Sequence, residues 1–214
     1  MECHSTLAKL LSVGKGGTNI VVPGVNRVIP VIGLALSFAY CADAFAQTSS
    51  QFDVVAPPAC ANNKGETVHF VERTSGRPGI SAGMAVRDAS GKPVVFRFNY
   101  AAAAPEFQRF IDRHECAHHQ IGDVDRPHPR RNSPEHLMNE SISDCVAILR
   151  MRDEEAYDRA AFDRVAAAIR QAMEKIGFPE TSISSRIRNI SNCYTKYGSP
   201  QDFVTGVLKD RGLL

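Results

Sequence analysis

The chain has 214 residues, 43% hydrophobic and 22% charged, with a formal net charge of +2. That length supports one core and at most a small appendage. The near-neutral balance excludes a basic nucleic-acid binder or a polybasic membrane ligand.

Residues 1–46 read as a secretory signal peptide with a long basic front. Lys9, Lys15 and Arg27 precede an apolar run from Val28 to Ala42, and Ala44-Phe45-Ala46 leads to a cleavage point before Gln47. The run contains Pro30 and is shorter than the roughly 20 residues a spanning helix needs. The expectation is therefore export, periplasmic or secreted, with no membrane association once the leader is removed and no nucleic-acid partner. Cys60, Cys116, Cys145 and Cys193 remain after cleavage, an even set bound for an oxidising compartment, and two disulfides can pair them in three ways.

Residues 47–66, rich in Ser, Ala, Pro and Asn, predict a loose leading segment tethered at Cys60, and residues 67–214 the folded domain. Val68, Phe70 and Val71 suggest a first strand. Met84–Arg87 and Val94–Tyr100 flank Asp88-Ala89-Ser90-Gly91-Lys92, a hairpin turn. The expected fold class is α+β, a small antiparallel sheet packed on a mainly helical bundle.

Pro105 and Glu106 suit the first turn of a helix that Gly122 ends. Phe107, Ile111, His114, His118 and Ile121 share one stripe of it, so both histidines are predicted to face inward. Cys116 lies about 200° round the wheel from His114, which favours a structural role.

The chemistry is concentrated in His114-Glu115-Cys116-Ala117-His118. Residues i and i+4 of a helix stand on one face about 6 Å apart along the axis, so the two imidazoles can hold one ion. Glu115 sits about 100° round from His114, near a water on that ion without ligating it. This is an HExxH pattern. A zinc site with two histidines needs one more protein ligand. Ser133-Pro134-Glu135 opens a second helix on which Glu140 and Asp144 are again four apart, in a face with Leu137, Ser141, Ile148 and Met151. Glu140 suits the third ligand. Asp144 can accept a hydrogen bond from the free ring nitrogen of a liganding histidine, most readily His114. In the loop between the two helices, Asp125 and His128 are rival third ligands.

HExxH followed by Glu140-xxx-Asp144 resembles the gluzincin metallopeptidases, the group of thermolysin and the CaaX-prenyl-protease-like enzymes, over residues 84–150. The resemblance implies a zincin-like fold, Zn2+ on His114, His118 and Glu140, Glu115 as general base, and a peptide or protein substrate. It also implies a strand that lines the cleft and pairs with extended substrate, for which Val94–Asn99 is the candidate. The metzincin alternative requires Gly at 121 and His at 124, where this chain has Ile121 and Val124. A reading from another class is a non-catalytic secreted interaction module, stabilised by zinc or stapled by disulfides. It is motivated by the lack of an obvious counterpart to the histidine or tyrosine that stabilises the transition state in thermolysin.

Three more helices are expected. One carries Phe162, Val165, Ile169, Met173 and Ile176 and stops at Gly177 and Pro179. The next starts at Thr181 or Ser182 with Ile183, Ile187, Ile190 and Tyr194 in line, and Ser199-Pro200 begins a short last one. Arg186 and Arg188 read as solvent-exposed by default, although either could reach a cleft carboxylate or an oxyanion.

Overall fold

A computed structural model describes residues 51–73 and 79–214. The leader expected at residues 1–46 lies outside the described residues. Asp88 organises the predicted hairpin. Its N–H donates to Lys92 O at 2.9 Å, and its carboxylate accepts from the backbone N–H of Ser90 and Lys92. The turn joins strands β2 (Ala82–Arg87) and β3 (Pro93–Phe98), which pair antiparallel, while β1 (His69–Arg73) pairs with β3 in parallel.

The sheet is thus mixed, in the order β1-β3-β2, and not antiparallel as expected. Alternation of apolar residues marks the faces of a strand and not its direction. What seats β1 is a small core of Cys60, Val68, Phe70, Val95 and Cys116, closed by the Cys60–Cys116 disulfide. A second correction follows from the order. β3, the expected substrate-pairing strand, is central with both edges occupied; its buried Val94 and Val95 suit that place. The outer strands are β1 and β2, and β2 is the one that borders the cleft described below.

The leading segment contains no strand or helix over residues 51–66, yet it is strapped down. Gln108, fully buried, accepts from Val55 N at 2.9 Å and donates to Asp53 O at 3.0 Å, and Arg97 Nη2 donates to Val55 O at 2.8 Å.

Five helices follow. α1 (Pro105–Gln120) carries the histidine pair and α2 (Pro134–Glu154) the acid pair, with Ser133 Oγ capping α2 by accepting from His136 N at 3.2 Å. α3 (Arg159–Ile176) is capped by Asp158 and closed by Gly177 in the left-handed region, at φ 89°. α4 (Glu180–Lys196) and α5 (Pro200–Asp210) complete the bundle. The main core joins Phe110 of α1, Ile148 of α2, Phe162 and Ile169 of α3, and Ile183 and Ile190 of α4. A second cluster seats α5 through Val204 and Leu208 against Ala117, Ile121 and Val146. The Cys145–Cys193 disulfide pins α2 to α4. Two disulfides fit an oxidising compartment, and among the described residues no helix is long and apolar enough to cross a membrane.

Candidate metal centre

The helical spacing of His114 and His118 and the inward face of α2 bring three donors to one point. His114 Nε2 lies 3.1 Å from His118 Nε2; Glu140 Oε2 is 3.3 Å from the first and Oε1 3.5 Å from the second. Tetrahedral zinc, with its nitrogen and oxygen donors at about 2.0–2.1 Å, sets donor separations of roughly 3.3–3.4 Å. The three groups therefore fit a metal ion of that size. Among the described residues this is the one group of histidine, cysteine and acidic side chains so arranged.

Each histidine is oriented by a carboxylate, and each carboxylate by an arginine. Asp144 Oδ1 accepts from His114 Nδ1 at 2.8 Å, and Arg186 of α4 donates to both Asp144 oxygens at 2.7 and 2.8 Å. Asp123, in the turn after α1, accepts from His118 Nδ1 at 2.9 Å and from Arg211 Nη1 at 2.6 Å. Ser143 Oγ lies 3.1 Å from the same His118 nitrogen. With Nδ1 engaged in both rings, both Nε2 atoms turn to Glu140, the arrangement that fixes tautomer and aim in metal-bound histidines. Burial opposes charge on Asp144, but Arg186 and His114 hold its carboxyl below the usual range. Burial likewise pushes the His114 pKa down, and the Asp144 and Glu140 carboxylates overcome this and raise it to about 10. The metal-free centre thus keeps a proton among its donors at neutral pH.

Glu115 enters the same cleft, of about 320 Å³, from α1. Its Oε2 accepts from Ala85 N of β2 at 2.8 Å. Because that N–H faces α1 and not β3, ladder parity puts the backbone groups of Gly83 and Ala85 on the free edge of β2. Gly83 permits the approach. A Cβ there would stand 2.4 Å from Glu115 Cγ and 2.6 Å from Ile111 Cγ2.

No protein family, no curated protein and no solved structure matches this chain. Function is therefore argued from the site itself.

The rival ligands fall elsewhere. Asp125 is held by Arg87 at 2.5 and 3.1 Å and by Lys64 at 2.6 Å, and Arg87 keeps its carboxyl low. His128 lines the cleft but does not join the donor group. His119, next to the motif, is buried and points to Val94 O at 3.0 Å, tying α1 to β3. Of the predicted α2 face, Leu137 is exposed. Arg188 stays at the surface, whereas Arg186 turns in. Sequence reading missed Asp123, Arg211 and His136. Asp123 follows the helix-ending Gly122 directly, a local cue. Arg211 is separated from it by 88 residues and offers none.

Proposed function

We propose that this chain is an exported zinc metallopeptidase of zincin-like architecture, with His114, His118 and Glu140 as ligands and Glu115 as general base. The observation that carries the reading is the meeting of those three donors in one cleft with the carboxylate of Glu115. Zinc held there supplies Lewis acidity, acidifying a water and polarising a carbonyl. The chain's own residues do the rest. Ala85 N–H holds one oxygen of Glu115, which leaves the other to take a proton from the attacking water and deliver it to the departing amine nitrogen. The outer edge of β2 offers the backbone groups of Gly83 and the carbonyl of Ala85 to an extended peptide, which would add as a further strand, while the Ala85 N–H stays with Glu115. The leader read at residues 1–46 and the full pairing of the four remaining cysteines support export.

The test is metal analysis of the purified protein, then digestion of a broad peptide library with and without chelator, alongside Glu115→Gln. The parent is expected to hold one zinc and cleave. The Gln variant is expected to keep the zinc and lose activity by about 10²–10⁴-fold. Bound zinc with no member cleaved would overturn the peptidase and leave a zinc-stabilised binding module. Absence of any bound metal would overturn both.

A further inference from the structure

His136 stands one turn before Glu140 on α2 and lines the same cleft as His114, Glu115 and His118. Its backbone is fixed by Pro134 at the start of the helix and by the bond of its N–H to Ser133 Oγ. The imidazole is partly open to the cleft, with 32% of the side chain exposed, and its Nε2 lies 4.0 Å from Glu140 Oε1. Its Nδ1 is buried, with no hydrogen-bond partner in reach.

That asymmetry decides the tautomer. A buried N–H without an acceptor is the less tolerated of the two orphans, so the neutral ring carries its proton on Nε2, on the cleft side. At 4.0 Å from Glu140 the N–H is too far to be consumed by that carboxylate. The cleft thus contains a placed donor with nothing to donate to.

We infer that His136 is a catalytic residue that donates, through Nε2–H, to the substrate carbonyl oxygen as it gains negative charge. This rests on the peptidase reading. It assigns a group to the transition-state role for which the sequence offers only Arg186 and Arg188, the first of which is engaged by Asp144 while the second stays at the surface. One donor aimed at a developing oxyanion contributes about 10²–10³ to kcat. His128, the other histidine lining the cleft, sits exposed in the loop between Pro127 and Pro129 and has no such fixing.

Two readouts test it. In the metal-free protein, long-range proton–nitrogen NMR is expected to show His136 as the Nε2–H tautomer; the Nδ1–H tautomer would overturn the inference. In the zinc-loaded protein, His136→Ala is expected to lower kcat by about 10²–10³, with KM within a few-fold and zinc content unchanged. A phosphinic peptide, a tetrahedral oxyanion mimic, is expected to lose affinity by the same factor, and His136→Gln, which retains an N–H donor, to recover part of both. Parental kcat and phosphinate affinity in His136→Ala would overturn the inference and leave the peptidase standing, as would a loss that follows His128→Ala instead. A parent that neither cleaves nor binds the phosphinate would overturn both.

Discussion

Gly83→Ala tests how α1 and β2 are held together. Gly83 does not have positive φ, so alanine is conformationally allowed. Considered alone, the change would stabilise by about 0.4–1 kcal/mol through the unfolded chain. Packing opposes it. The new methyl would stand 2.4 Å from Glu115 Cγ and 2.6 Å from Ile111 Cγ2, and neither atom is the free end of a flexible side chain. Relieving such overlap costs about 1–3 kcal/mol. If Glu115 swings away, the 2.8 Å bond from Ala85 N to its carboxylate is lost as well, at about 1.5–3 kcal/mol. The net is a destabilisation of up to about 2.6 kcal/mol if the Ala85–Glu115 bond survives and about 1.5–5.6 kcal/mol if it is lost, and each kcal/mol lowers Tm by about 2–4 °C in a domain of this size. Calorimetry of the metal-free variant reads this directly. Peptide cleavage is expected to fall while zinc affinity changes little, because neither clashing side chain is a proposed ligand. A variant with parental Tm and parental cleavage would refute the argument that this glycine sets the helix-to-strand distance.

Three further outcomes follow from the same geometry. Asp144→Ala leaves His114 without its orienting carboxylate, and zinc affinity measured by competition with a chelating dye is expected to fall about 10–100-fold; unchanged affinity would exclude that role. With the His114 pKa raised to about 10, zinc must displace a proton at neutral pH, so its apparent log K is expected to rise by about one unit per pH unit between pH 7 and 9. The sign is opposite for the metal-free fold: the contribution of His114 is complete below its unfolded pKa of about 6.5 and is lost as pH rises through its folded value. Pairwise Cys60→Ala and Cys116→Ala opens a loop spanning 56 residues and is expected to cost about 4 kcal/mol in urea unfolding, with a parental midpoint as the contrary result.

The parts legible in the sequence are those encoded within one helical turn. His114 and His118, and Glu140 and Asp144, are each four apart, so local periodicity was enough to place each pair on one face. The caps at Ser133 and Ser199 and the Asp88 turn are likewise written in adjacent residues. Strand direction is not local. The apolar run of β3 could mark a sheet edge facing a cleft or a middle strand, and it took the Cys60–Cys116 link and the packing of Val68 to fill its second edge. Arginines are exposed by default, which hid Arg186; the buried carboxylate of Asp144 calls for a cation, and α4 supplies it from 42 residues away. His136 was passed over because its meaning depends on which of its ring nitrogens meets protein and which meets the cleft.

The tie from Arg211 to Asp123 has a temporal consequence. Arg211 Nη1 also donates to Ile121 O at 2.7 Å, and Nη2 to Asn139 Oδ1 at 2.8 Å, so a single guanidinium buckles together both walls of the centre. A nascent chain that has already displayed its histidines and its acids still waits for a residue 88 positions beyond Asp123. On the peptidase proposal, a half-made copy therefore lacks the tie that braces both walls of its metal site.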